Sequence, residues 1–207
     1  DQFHFGKIQA VGYHLRPDGR LDTEAPEIAA DLASDAPRTA IGLISRTLLD
    51  RHESGAPPLT ILSCDNLSKN GQKLRGAVAD YLAASLAPSD AIYAATFPDT
   101  MVDRITPATT GDIAARIADA AGRPVAAPVL TEAFAEWVIE DQAAGPLPDW
   151  ARAGARIVPD VAPYERRKLL LLNGAHSALA YGGLLRGHTY VHEAIADPDL
   201  LMHVRAL

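Results

Sequence analysis

The sequence contains one cysteine, Cys64, among its 207 residues. A single cysteine excludes an intramolecular disulfide, and so low a cysteine content is typical of proteins from a reducing compartment. We therefore expect a cytoplasmic protein. Its hydrophobic content of 48% is ordinary for a globular protein, so a packed core can stabilise it without covalent crosslinks.

Positive charge is scarce as well. The chain has 19 Lys and Arg residues against 26 Asp and Glu residues, which gives a formal net charge of −7. Proteins that bind nucleic acids need a basic surface that neutralises phosphates, and no basic stripe is present. We therefore expect no nucleic-acid partner.

The chain also lacks a long uninterrupted hydrophobic run. The longest one, over residues 169–185, is interrupted by Asn173, His176 and Ser177, whereas a membrane-spanning helix needs about 20 apolar residues. We expect no membrane-spanning segment. The sequence starts neither with Met nor with the charged-then-apolar order of a signal peptide, so we expect it to begin within a longer protein.

Local patterns predict alternating helices and strands. A strand is expected over residues 8–15, a turn at residues 16–19, and helices beginning near Ala25 and Thr39. Residues 59–63 form a short β-rich run after two prolines, which places Asn66 just beyond the carboxyl end of a strand. Ligands of α/β folds bind at such strand ends.

Further along, helices are predicted over residues 72–86 and 111–121, an extended segment over 129–141 and a strand over 156–158. A long helix should begin near Ala162 or Pro163, and another helix should run through residues 201–207. We place the domain boundary before the long helix, which separates residues 1–156 from residues 157–207.

The long helix carries polar residues among leucines. On a helix with 3.6 residues per turn, Glu165, Lys168, Asn173 and His176 share one side, and the rest of the surface is apolar. A helix that is apolar almost all round is typically buried. We therefore expect this helix to be buried, with polar side chains that need partners or a substrate.

Each of these residues also has an ordinary structural interpretation. Lysines near a helix start are usually solvated, and a lone Asn173 or His176 is more often a hydrogen-bonded core residue. Asn66 and Asp103 are residue types that commonly stabilise turns. His188 and His192 have the spacing of metal ligands but no evident third ligand, so we expect no metal site.

Five short motifs occur in a fixed order and together resemble the mannitol dehydrogenase family of zinc-independent polyol and sugar-acid dehydrogenases. They are Ser-Cys-Asp-Asn at residues 63–66, followed by Asn70-Gly71; Met-Val-Asp-Arg at 101–104; Trp-Val-Ile-Glu-Asp at 137–141; Pro-Tyr-Glu at 163–165; and Lys168, Asn173 and His176. Any one motif alone would be weak evidence, but their common order makes chance agreement improbable.

The resemblance implies an α/β fold: the C-terminal part of a Rossmann-type nucleotide-binding domain over residues 1–156, followed by the beginning of an all-α domain over residues 157–207. It implies NAD or NADP as the cofactor. The expected substrate is a small polyol or sugar acid, with chemistry of the mannitol/fructose or mannonate/fructuronate type.

The resemblance also implies roles for individual residues. Lys168 is the general base, while Asn173 and Asn66 form an oxyanion-type pocket, and His176 orients the substrate. Asp103 lies near the nicotinamide, so Asn66 and Asp103 are the expected cofactor-binding residues.

Glu165 lies one turn before Lys168, and helical spacing suggests that it relays the proton or holds the ammonium form. Cys64 has no neighbouring His or Lys that would activate it as a nucleophile.

The sequence contains no Gly-x-Gly segment, although family members bind the pyrophosphate through a glycine-rich turn. We therefore expect the nucleotide-binding segment to be missing at the N-terminal side. The alternative is a catalytically silent fragment that serves only as a binding or structural domain.

Overall fold

The computed structural model describes residues 13–106 and 109–207. The chain divides into two compact units, of which the first ends at Pro159 and the second begins at Asp160. The first unit mixes helices and strands, and the second is helical. Residues 156–158 form a strand that pairs within the first unit, and the domain boundary after residue 156 stays a prediction.

The first unit begins with two helices that confirm the predicted starts: α1 spans Pro26–Leu32 and α2 spans Ala40–Ser54. Thr39 caps α2, because its hydroxyl oxygen accepts a hydrogen bond from the Gly42 amide at 3.1 Å. The carboxylate of Asp31, at the end of α1, accepts from the Thr39 amide at 2.8 Å. The C-terminal end of α1 is thereby hydrogen-bonded to the N-terminal end of α2.

A two-stranded parallel sheet follows, with β1 at Leu59–Thr60 and β2 at Ala95–Thr96. Helix α3, Asn70–Ala84, and a 3-10 helix, Ser89–Ala94, connect the two strands. The strand predicted over residues 59–63 is present but shorter, and the Ile61 amide extends the pairing by donating to the Thr96 carbonyl at 3.0 Å.

A second, three-stranded sheet has the order β3-β4-β5, with β3 at Thr100–Asp103, β4 at Glu136–Glu140 and β5 at Arg156–Val158. Strands β3 and β4 are antiparallel, and β4 and β5 are parallel. Helix α4, Gly111–Ala121, lies between β3 and β4 in the chain, and a 3-10 helix, Trp150–Ala153, precedes β5. The helix predicted over residues 111–121 and the strand predicted over residues 156–158 are confirmed. Of the extended segment predicted over residues 129–141, only residues 136–140 form a strand.

The core of the first unit lies between α2, α3 and the segment leading to β2. Its members are fully buried aliphatic side chains at helical spacing, which include Leu48, Val78 and Leu82. Burying such a side chain stabilises a fold by about 1.5–3 kcal/mol. The apolar stripe that predicted α3 is therefore the face that packs into this core.

The strand predicted over residues 8–15 is not found in its described part. Tyr13 and His14 lie in a turn, and Leu15 makes a single antiparallel bridge with Leu21. The chain reverses at Gly19, whose φ is +83°, and the extended backbone is interrupted just before Leu15 because His14 has a left-handed φ of +48°. Residues 8–12 lie outside the described part of the chain.

The second unit consists of α5, Ala162–Arg167; a π-helical segment, Lys168–Asn173; α6, Gly174–Leu185; α7, Val191–Ala196; and α8, Pro198–Arg205. Its core contains Leu179, Ala194 and Leu200. A Cβ at Gly183 would lie 2.8 Å from the Ala194 side chain, so the glycine permits close approach of α6 and α7. The helix predicted at the chain end is confirmed, while α7 was not predicted.

Asp197 joins the ends of three helices in this unit. Its carboxylate caps α8 by accepting from the Asp199 amide at 3.0 Å, and it pairs with Arg186 at 2.9 Å and His188 at 3.4 Å. Desolvation alone would raise the pKa of Asp197, but the hydrogen bonds from Arg186 and the Leu200 amide lower this pKa to about 2.

This arrangement makes the stability of the second unit dependent on pH. A carboxyl group with a lowered pKa in the folded state stabilises the fold above its unfolded pKa of about 3.9, and the contribution is lost as the pH falls through about 2. In Asp197→Asn the cap is retained but the charge is absent. We expect faster amide hydrogen exchange in α8 than in the wild type at pH 6, with the difference vanishing near pH 2.

The Asp160→Asn variant is the control, because this aspartate belongs to the same unit and accepts from the Ala162 amide near the start of α5, away from α8 in the chain. It should leave exchange in α8 unchanged. A difference between Asp197→Asn and the wild type that stayed constant with pH would contradict the assigned role of the charge.

Candidate active site

The first unit contains two of the predicted site residues at the ends of strands. Asn66 lies in the loop that follows β1, and its side chain is exposed. Asp103 is the last residue of β3 and is half-buried. Both residues therefore lie on segments that leave a sheet at a carboxyl end, where ligands of α/β folds bind.

The loop with Asn66 is joined to β3 through the fully buried side chain of Asn70. The Asn70 Nδ2 atom lies 3.2 Å from the Ser63 carbonyl oxygen and 2.9 Å from that of Asp65. The same nitrogen lies 3.0 Å from the Thr100 carbonyl oxygen and 3.1 Å from the Thr100 hydroxyl. An amide has two hydrogens to donate, so these contacts share them.

The Asn70 side chain also accepts a hydrogen bond from the Thr100 amide, at 2.9 Å from Oδ1. The Thr100 hydroxyl in turn donates to the Ser63 carbonyl. All polar atoms of the Asn70 amide are thus satisfied in a buried environment, where an unpaired polar group would cost about 1–3 kcal/mol. We call Ser63, Asn70 and Thr100 the Asn70 cluster.

The start of α3 is held against the segment that precedes β3. The Asp99 carboxylate accepts from the Gln72 amide at 3.0 Å and from the Gln72 side chain at 2.8 Å. A Cβ at Gly71 would lie 2.4 Å from the Phe97 and Pro98 carbonyl oxygens. Gly71 therefore permits a backbone approach that no other residue type allows.

A cavity of about 380 Å³ opens beside β1 and the loop with Asn66. Its lining is mainly apolar, with a polar part contributed by Tyr13, Ser63 and Asp65. The Tyr13 and Ser63 hydroxyls are hydrogen-bonded at 2.6 Å. Among the described residues, the Asp65 Oδ2 atom has no hydrogen-bond partner, and burial raises the pKa of this carboxyl. The cavity thus has one orphaned acceptor.

Cys64 also lines this cavity. Burial raises the pKa of its thiol, which keeps the sulfur protonated at neutral pH. This agrees with the sequence-based interpretation that Cys64 is not a nucleophile.

The second unit contains the other three predicted site residues, Lys168, Asn173 and His176. Lys168 begins the π-helical segment and Asn173 ends it, and the Gly174 amide donates to the Leu169 carbonyl five residues earlier. A π turn closes between residues i and i+5. Lys168 and Asn173 are therefore the two ends of this π segment, and His176 follows in α6.

Two sequence-based predictions about this helix are wrong. A regular period of 3.6 residues does not apply between Lys168 and Asn173, because the hydrogen-bond pattern there is π-helical. The helix is also not buried all round: the side chains of the four consecutive leucines at residues 169–172 are 45–67% exposed. In the described part of this unit, the residue of α6 that packs into the small core is Leu179.

The sequence analysis missed the Asn70 cluster and Asp99. Asn70 was quoted as part of a motif, but nothing in the local pattern distinguishes a buried asparagine from one in a solvated turn. The partners of Asn70 lie up to 30 positions away in the chain. Only the pairing of the loop with β3 brings them together.

Within residues 13–106 and 109–207, no group of three or more His, Cys, Asp or Glu side chains is placed to hold a metal ion. His188 pairs with Asp197, and the ring of His192 stacks on that of Tyr190 with centroids 5.4 Å apart. No helix in the described part of the chain has both the length and the apolar character needed to cross a membrane.

Comparison with known proteins identifies the family. The model described as the mannitol dehydrogenase Rossmann domain matches residues 10–152, and the model described as the mannitol dehydrogenase C-terminal domain matches residues 160–207. The chain therefore belongs to the mannitol dehydrogenase family. It consists of a Rossmann-type domain followed by a helical C-terminal domain, which confirms the predicted fold class and the resemblance.

Individual relatives agree with this assignment. The chain is 44% identical over 192 residues to a D-arabinitol 4-dehydrogenase of Ralstonia nicotianae, covering 90% of this chain and 40% of the relative. It is 41% identical over 206 residues to a mannitol 2-dehydrogenase of Phaeosphaeria nodorum, covering 96% of this chain and 36% of the relative. The chain thus spans about two fifths of the length of these relatives.

Two solved structures are also similar. A mannitol 2-dehydrogenase of Pseudomonas fluorescens, in a ternary complex with NAD and D-mannitol, superposes with a TM-score of 0.81 at 39% identity, covering 97% of this chain and 42% of that one. A substrate-free D-sorbitol dehydrogenase superposes with a TM-score of 0.87 at 35% identity, covering 96% of this chain and 42% of that one.

The close backbone contact at Gly71 gives a prediction for stability. In Gly71→Ala the new methyl group would meet two backbone carbonyl oxygens that have no room to move aside independently. We expect the free energy of unfolding, measured by urea denaturation, to fall by about 1–3 kcal/mol.

Gly76→Ala is the matched control, because Gly76 lies in the same helix and a Cβ there would have no heavy atom within 4 Å. Both variants gain helix propensity, so Gly76→Ala should raise the free energy of unfolding by about 0.5–1 kcal/mol. Equal effects of the two substitutions would contradict the close approach at Gly71.

Proposed function

We propose that this chain carries part of the active site of an NAD-dependent dehydrogenase that interconverts a polyol or sugar acid and its keto form. Membership of the mannitol dehydrogenase family supports this proposal, as does the similarity to an enzyme solved with NAD and D-mannitol. NADP is the alternative cofactor, and mannonate/fructuronate is the alternative to mannitol/fructose. A cytoplasmic location, inferred from the single cysteine, belongs to the same proposal.

The π-helical segment is the observation that carries the proposal. It begins at Lys168 and ends at Asn173, the two residues proposed as the base and as an amide donor. Single π turns in α-helices are found frequently at functional sites.

Alcohol oxidation removes a proton from the hydroxyl oxygen and a hydride from the carbon, which leaves a carbonyl group. The cofactor, when bound, accepts the hydride at its nicotinamide ring. The Lys168 amine accepts the hydroxyl proton as general base. The Asn173 side-chain amide donates a hydrogen bond to the oxygen as negative charge develops on it, and the family resemblance implies the same role for Asn66.

The remaining proposed residues orient the reactants. His176 follows Asn173 by three residues and hydrogen-bonds a substrate hydroxyl. Because amides and an imidazole carry no fixed negative charge, they stabilise the alkoxide without repelling it. In the reverse direction the Lys168 ammonium returns the proton to the same oxygen.

The residues at the strand ends fit the nicotinamide part of a dinucleotide. Asn66 supplies both a donor and an acceptor, and Asp103 supplies a half-buried acceptor. Asp65 also lines the neighbouring cavity. These groups match a ligand that has carboxamide and hydroxyl donors. Asn66 and Asp103 would hold it, as the family resemblance implies.

The base role of Lys168 is tested in the complete protein by Lys168→Ala. We expect the turnover number for mannitol oxidation to fall by a factor of about 10²–10⁴, because the substrate proton loses its acceptor. The affinity for NADH, measured by fluorescence titration, should be largely retained.

Arg166→Ala is the control, since Arg166 is an exposed cation two residues earlier in the chain. It should keep nearly full turnover. Undiminished turnover in Lys168→Ala would remove the base role.

A wild-type protein that binds neither NADH nor NADPH at millimolar concentration would favour the alternative of a catalytically silent binding or structural fragment.

Glu165 gives a second test of the same site. Its carboxylate is three residues before Lys168 at the end of α5, and the Lys168 amide donates to the Glu165 carbonyl. A carboxylate there stabilises the ammonium form of the base. In Glu165→Gln the alkaline rise of the turnover number should therefore shift to lower pH. A pH profile identical to that of the wild type would exclude this role.

A further inference from the structure

The Asn70 cluster joins the two segments of the first unit that carry proposed site residues. Asn66 lies in the loop four positions before Asn70, the first residue of α3, and Asp103 lies three positions after Thr100 in the same strand. The described structure connects these segments at a buried point, while Asn66 is exposed at the surface.

We propose that Asn70 and Thr100 are positioning residues that fix Asn66 relative to Asp103. Neither residue touches the reactants in this proposal, and both act through the backbone of the segments they join. The inference rests on the proposed dehydrogenase function, since it assigns a role in that reaction to residues outside the proposed catalytic set.

The geometry at Thr100 supports this role. Asn70 accepts from the Thr100 amide at 2.9 Å and lies 3.0 Å from the Thr100 carbonyl oxygen, so it contacts the strand on both sides of one residue. A two-point contact of this kind prevents both sliding and rotation of the strand relative to α3. Asp103, at the end of the same strand, is held accordingly.

The geometry of the loop that contains Asn66 also supports the positioning role of Asn70. The Ser63 and Asp65 carbonyl groups both accept from the Asn70 amide, at 3.2 Å and 2.9 Å. They lie on either side of Cys64, immediately before Asn66. The loop contains no helix or strand between β1 and α3, and these contacts tie its first part to Asn70.

Lys69 adds an independent indication that this loop is tightly constrained. Its φ is +54°, a left-handed conformation that is unfavourable for a residue with a side chain. Such conformations persist where the surrounding contacts determine the backbone, and they are concentrated at functional sites. Lys69 lies next to Asn70, whose side chain makes the buried contacts described above.

The Thr100 hydroxyl allows a test that keeps the fold. It donates to the Ser63 carbonyl and lies 3.1 Å from Asn70 Nδ2, so it contributes to both segments. Thr100→Val replaces it with a methyl group of the same shape, and Thr100→Ser retains it. In the complete protein, assayed well below the unfolding midpoint, we expect Thr100→Val to lower the turnover number for mannitol about tenfold or more.

Thr100→Ser should restore most of the turnover, because the hydroxyl rather than the methyl group joins the segments. A double-mutant cycle with Asn66→Ala separates positioning from general destabilisation. If Thr100 acts through Asn66, Thr100→Val should cause a much smaller further loss in the Asn66→Ala background than in the wild type.

Asn70→Ala removes more of the hydrogen bonds in the cluster than Thr100→Val does. If Asn70→Ala fails to fold, the comparison of Thr100→Val with Thr100→Ser still tests the inference. Equal losses from Thr100→Val in both backgrounds, or unchanged turnover in the single variant, would overturn the positioning role while leaving the proposed function intact. A wild-type protein without polyol or sugar-acid turnover would instead overturn the proposed function and this inference with it.

Discussion

The buried amide of Asn70 is the interaction on which the arrangement of the first unit depends most. One side chain satisfies backbone groups of the loop after β1 and of β3, two segments that have no other regular pairing with each other. An unpaired buried amide or carbonyl group is costly. Removing one member of the Asn70 cluster would therefore leave several buried polar groups without a hydrogen-bond partner. The two short sheets are therefore joined by side-chain hydrogen bonds instead of a common ladder.

The second unit shows a different physical solution to positioning. Its core is small, with Leu179, Ala194 and Leu200 as its buried residues, and the residues with proposed chemical roles lie on a helix whose hydrogen-bond period changes locally. The π-helical segment begins at Lys168 and ends at Asn173, two residues with proposed roles. Charged caps such as Asp197 stabilise the helix ends, where the core contributes little.

Much of the architecture was predictable from local patterns. Apolar residues at helical spacing predicted α3 and α4, and Thr39 predicted the start of α2. The family resemblance came from short ordered motifs, which are also local. The errors have physical causes as well. The described end of the strand predicted over residues 8–15 is interrupted by the left-handed backbone of His14, and a run of leucines predicted burial although these side chains are exposed in the described structure.

Residue order and periodicity were enough to identify the family, the mixed α/β character and the candidates Lys168, Asn173, His176, Asn66 and Asp103. They were not enough to reveal the Asn70 cluster or the π-helical segment. Asn70 meets Thr100 across 30 positions of chain, and only folding determines whether an asparagine there is solvated or buried. The π turn is defined by backbone hydrogen bonds between residues five apart, which the apolar spacing of the sequence does not distinguish from the i+4 bonds of an α-helix.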